Sequence, residues 1–72
     1  MSVIDDQINT WFKYHTPGPD DLIKYEEIRQ AGKNLAEVIA KNAPPSADRT
    51  AAIRKVREAC MTANASIACK GE

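Results

Sequence analysis

Two runs of apolar residues in steps of three and four, separated by one Pro-Pro pair, constrain this chain more than any other feature. Tyr25, Ile28, Gly32, Leu35 and Ile39 form the first run; Ile53, Val56, Cys60, Ala63 and Ile67 form the second. That spacing places each set on one face of an α-helix. Between them, Ala43-Pro44-Pro45-Ser46 cannot continue a helix, because proline has no amide hydrogen and disfavours helical backbone in the residue before it. Long helices joined by so few residues must return antiparallel. The predicted fold class is therefore all-α: a short N-terminal helix over about 2–13, then an antiparallel two-helix hairpin over about 19–42 and 46–69. Residues 1–72 make a single domain.

Local signals set the helix ends. Ser2 is placed to cap the first helix, with Asp5 and Asp6 favouring the positive end of its dipole, and Ile4, Ile8, Trp11 and Phe12 form its apolar stripe. Thr16-Pro17-Gly18-Pro19 breaks that helix. Pro19 suits the first turn of the second helix, followed by Asp20 and Asp21. Gly32 in mid-helix costs about 1 kcal/mol against alanine, which points to close approach of another backbone or a ligand. Gly71 is the stop signal of the third helix.

A chain of 72 residues has little interior, so a staple or a partner is expected. Cys60 and Cys69 are not that staple: nine residues apart on one helix, they lie roughly 13 Å apart along the axis on opposite faces. They read as free thiols in a reducing compartment. One histidine and two distant cysteines make no four-ligand metal set. Self-association remains: the seams of the hairpin are rich in small residues such as Ala36, Ala40, Ala52, Ala59, Ala63 and Ala68, so its helices can come close but each bury only modest apolar area. The expected assembly is a homo-oligomer with its core between subunits. No apolar run approaches a membrane span and no signal segment is visible, so no membrane partner is expected and the cytoplasm is the expected location.

Formal net charge is zero, which with the absence of helix-turn-helix spacing argues against DNA as a partner. The charge is nonetheless uneven: six acids face two bases before Arg29, and eight bases face four acids from Arg29 onward. Complementary solvated faces explain this, as does an oligomer that gathers arginines into pockets for a small polyanion. Aromatic and basic groups cluster at Trp11-Phe12-Lys13-Tyr14-His15, with Arg29 fifteen residues after Tyr14. Rings and cations near a helix start can hold a planar, charged ligand such as a nucleotide. Taken singly, these residues read more plainly. Tyr14 beside Trp11 and Phe12 can be a hydrophobic staple, Trp11 and Phe12 core, and Arg29 a solvated residue pairing with Glu26. His15 can be a structural hydrogen-bonder and Lys33 a solvated lysine.

Trp11-Phe12-x-Tyr14-His15-x-Pro17, Tyr25-x-x-Ile28-Arg29-x-Ala31-Gly32, Pro44-Pro45-Ser46 and Ala63-Asn64-Ala65-Ser66-Ile67-Ala68 together resemble the helical-hairpin domain shared by phage anti-CBASS sponges, which sequester cyclic oligonucleotide messengers, and anti-Thoeris sponges, which sequester cyclic ADP-ribose derivatives. The resemblance covers nearly the whole chain, which is similar to the stand-alone hairpin form. It implies a homohexamer in the host bacterial cytoplasm that binds cyclic dinucleotides between subunits without cleaving them. A second kind of pocket takes cyclic trinucleotides in some members. It further implies that Tyr14 stacks on a nucleobase and that Arg29, a lysine in some members, contacts phosphate. His15 and Lys33 are candidate ligand contacts beside them. Ala31 falls where a relative carries a hydroxyl residue, so one polar contact is missing here. Ala65 falls where an arginine is found in relatives that hold trinucleotides; Arg54 and Arg57, one turn apart, could supply that charge, and Asn64 is either a ligand contact or an inter-subunit hydrogen bond.

Enzymatic activity is not expected: no nucleophile sits beside a base in a recognisable motif, paired carboxylates occur only at helix starts, and no cofactor is called for. The rival reading from another class is a small helical adaptor or regulatory protein that binds a host protein.

Overall fold

In the computed structural model, residues 3–71 are described. Three helices follow in order: α1 (Val3–Trp11), α2 (Pro19–Asn42) and α3 (Ala47–Ala68). Every other described residue lies in turns, bends or irregular segments. The expected Ser2 cap lies outside the described residues. α1 ends two residues earlier than the sequence pattern suggests, because the Phe12 and Lys13 amides close a last turn on the Ile8 and Thr10 carbonyls.

The remaining ends form as their residues dictate. Gly18 is the N-cap of α2; its backbone N–H donates to Asp21 Oδ2 at 3.0 Å, and Pro19 follows at the first helical position. At the hairpin turn the Ser46 hydroxyl accepts the Arg49 N–H at 3.1 Å and donates to the Pro44 carbonyl at 3.0 Å, so one side chain caps α3 and holds the turn. α3 ends in a six-residue loop closure: the Gly71 N–H donates to the Ser66 carbonyl and the Lys70 N–H to that of Ile67. In that motif the left-handed position belongs to Lys70, with φ +53°, while Gly71, also left-handed at φ +80°, sits one residue further on. The glycine thus marks the stop but does not occupy the position that a C-terminal glycine most often takes.

α2 and α3 pack antiparallel, with Cys60 opposite Ile28 and Gly32. The close approach inferred from Gly32 is real, and its neighbour is the Cys60 thiol: a Cβ built on Gly32 would run into Cys60 Sγ. The same thiol donates a long, weak hydrogen bond to the Ile28 carbonyl at 3.9 Å.

The hairpin is one layer deep. Principal extents are 49 × 29 × 14 Å and the radius of gyration is 15.5 Å, against about 11 Å for a compact domain of this length. Exposed area is 5928 Å², against about 4,400 Å² for a compact monomer of this mass. Cys69 is the only buried hydrophobic residue among those described. Trp11 and Phe12, read as core, are not core within the chain: Phe12 is 85% exposed and Trp11 54%. α1 has no third layer to pack into, so the stripe of Ile4, Ile8, Trp11 and Phe12 stays open, as do Leu22, Ile23 and Leu35.

Candidate functional site

Four grooves carry the residues singled out in the sequence. The first lies where the arm meets the far end of α3. Tyr14, His15, Tyr25, Asp21 and Lys70 line it, enclosing about 230 Å³. Its wall is built by His15, whose Nε2–H donates to the Thr10 carbonyl at 2.7 Å; a carbonyl can only accept, so the proton sits on Nε2. Cys69 Sγ lies 3.8 Å from that nitrogen and 4.0 Å from the same carbonyl. This three-way contact latches the end of α1 to the end of α3, and the structural hydrogen-bonding role of His15 is what the geometry displays. Tyr14 stands beside it, 80% exposed, with its ring available for stacking.

The second groove runs along the α2–α3 seam. Arg29 and Lys33 from α2 face Arg57 and Asn64 from α3, over a floor that includes Gly32 and Cys60, with a volume of about 240 Å³. Three cations thus share one groove in a chain of zero net charge. Arg29 is engaged: its Nη1 donates to Glu26 Oε2 at 2.6 Å, while Gln30 Nε2 donates to Glu26 Oε1 at 3.1 Å. Lys33 pairs more loosely with Glu37 at 3.9 Å. Arg57 makes no hydrogen bond or ion pair among the described residues. The Asn64 Oδ1 is buried with no hydrogen-bond partner among the described residues. An unpaired buried carbonyl costs about 1–3 kcal/mol, so it is an acceptor waiting for a donor.

A third, apolar groove of about 500 Å³ flanks the same seam and takes in Ile28, Ala31, Leu35, Ala59 and Ala63. Ala31 therefore belongs to an apolar surface and not to the basic groove. Arg54 lies apart from Arg57, in a groove with Thr50, Lys55 and Glu58. The fold thus unites Tyr14 with His15, and Arg29 with Lys33, Arg57 and Asn64. It does not bring Tyr14 and Arg29 into one groove of one chain, nor Arg54 and Arg57 into another. Tyr25 and Lys70 were not singled out as site residues. The spacing places Tyr25 on the packed face of α2, and only the folded path of the chain brings Lys70 beside Tyr14.

Among the described residues, no cluster of three or more histidine, cysteine or acidic side chains could hold a metal, and no helix is long and apolar enough to cross a membrane. Both cysteines are free thiols.

A one-layer helical hairpin with a short arm, open apolar faces and cation-lined grooves defines a class of small all-α module. A family model described as "Acb2/Tad1, hairpin domain" matches residues 5–68. The chain belongs to this hairpin-domain family. No curated protein and no solved structure matched the chain.

Proposed function

We propose that this protein is a non-catalytic phage sponge that binds and sequesters cyclic oligonucleotide immune messengers, cyclic dinucleotides first, and so blocks CBASS-type signalling in the host bacterial cytoplasm. Membership of the Acb2/Tad1 hairpin family supports the reading. The observation that carries it is the basic groove, where Arg29, Lys33 and Arg57 converge on a space of about 240 Å³. A guanidinium grips phosphate with two parallel hydrogen bonds, and an aromatic face holds a base of any identity for about 1–3 kcal/mol. Tyr14 offers that face, but from a separate groove. Tyr14 and Arg29 can share one ligand only when the tyrosine of one chain meets the arginine of another, which is why we place the ligand between subunits. Open apolar faces on a slab 14 Å thick support self-association, and we propose the hexamer that the family resemblance implies. Arg57 and Asn64, which we also propose for the second, trinucleotide pocket, line the same groove as Arg29 and Lys33, so one groove serves one ligand at a time, and Arg54 joins them only from a different chain.

Isothermal titration against cyclic di- and trinucleotides and cyclic ADP-ribose isomers tests the reading. The expected result is saturable binding of at least one cyclic dinucleotide with the ligand recovered intact; hydrolysis, or binding to none, overturns it. Binding of the ADP-ribose isomers alone would reassign the messenger class. Tyr14→Ala and Arg29→Ala should each weaken binding about five- to 150-fold while native mass is unchanged, since loss of a stacked ring or a charged hydrogen bond costs about 1–3 kcal/mol. The rival adaptor reading predicts that both variants keep their host-protein partner.

A further inference from the structure

The two guanidiniums of the basic groove are in different states. Arg57 is unpaired among the described residues, whereas Arg29 is already bound to an anion, the Glu26 carboxylate, at 2.6 Å. That carboxylate is itself held from its other side: Gln30 Nε2 donates to Oε1 at 3.1 Å, so both oxygens are occupied by donors. Three residues at i, i+3 and i+4 on one helix face therefore form a hydrogen-bonded cluster, in which a carboxylate stands in the kind of contact that a phosphate oxygen would make. Neighbouring Glu27 carries the same charge on the same helix but makes no such contact among the described residues.

We propose that Glu26 is a resident counter-ion that occupies Arg29 until a ligand phosphate displaces it, and that it thereby sets the affinity and selectivity of the groove. The inference rests on Arg29 being a phosphate contact, as proposed above. Its chemistry is anion exchange: the phosphate takes the guanidinium, the carboxylate turns to solvent, and no bond is made or broken. An empty groove is then nearly charge-balanced at Arg29, so a passing polyanion gains little there. A ligand must bring enough further contact, from Arg57, Lys33 and a stacked base, to drive the exchange. Both members of the pair are more than half exposed, so the competition is modest, as exposed ion pairs are.

The test is titration of wild type, Glu26→Gln, Glu27→Gln and Arg29→Ala with cyclic di-AMP, cyclic di-GMP and cyclic GMP-AMP, each variant checked for native mass. Glu26→Gln keeps the size of the side chain and removes its charge. It should bind about two- to fivefold more tightly than wild type, the range an exposed pair supplies. Glu27→Gln, which removes the same charge one residue away, should change binding by much less. Equal affinity of Glu26→Gln and wild type, or an equal gain in both glutamine variants, overturns the counter-ion role while leaving Arg29 as a phosphate contact if Arg29→Ala loses binding. Undiminished binding by Arg29→Ala, or no binding by wild type, overturns the phosphate reading and this inference with it.

Discussion

Lys70 adopts φ +53°, a backbone conformation that costs a non-glycine residue about 1 kcal/mol, immediately before a glycine that could have taken it. Its side chain lines the groove of Tyr14 and His15, which gives a reason for a cation at a strained position. Lys70→Gly should raise stability by up to about 1 kcal/mol, read as a shift in urea midpoint at fixed protein concentration. At this scale the sequence was partly legible. The Arg29–Glu26 pairing follows from three-residue spacing on a helix, and Gly32 announced a close neighbour. That this neighbour is a thiol could not be read, because it depends on which residue of the second helix arrives opposite the glycine. The contact of His15 and Cys69 was hidden for the same reason: it spans 54 residues and is made only when both ends of the chain reach one end of the hairpin.

The helices were the most legible level, since α2 begins and ends where Pro19 and the Pro44-Pro45 pair require. They come close at Gly32, where Cys60 lies opposite, with Val56 also near. Overpacking costs about 1–3 kcal/mol, whereas Gly→Ala in a helix gains about 1 kcal/mol, so packing and propensity pull in opposite directions here. Gly32→Ala should therefore destabilise the protein by about 1 kcal/mol in the Cys60 background, yet stabilise it once Cys60→Ala has removed the sulfur. A double-mutant cycle by chemical denaturation measures this, and additivity would refute the seam as drawn. α1 was the least legible element. Its stripe is helical, as the spacing implies, but periodicity names only the face to be covered and not what covers it, and Trp11 and Phe12 remain open within the chain.

For the whole molecule, the excess of exposed area over a compact monomer, about 1,500 Å² per chain, is about twice the ~800 Å² that one partner gives to a standard protein interface, room for more than one neighbour. If the hexamer holds, native mass spectrometry will give six times the 7.9 kDa of one chain. Phe12→Glu, a charge placed on an 85% exposed ring position, should shift that mass downward if the ring is buried between chains. The flat shape could not be read from periodicity, because a helix face turned to solvent and one turned to a second chain have the same spacing. The short turn at residues 43–46 has a kinetic counterpart. Once it closes, pairing can zip outward from Ile39 and Ile53 toward Ile28 and Cys60, each new contact closing only a slightly larger loop. Such a chain should form its hairpin within microseconds to milliseconds, so that in the proposed oligomer encounter between chains is the slow, concentration-dependent step. Freshly made protein would then reach the proposed assembly at a rate set by how fast it accumulates.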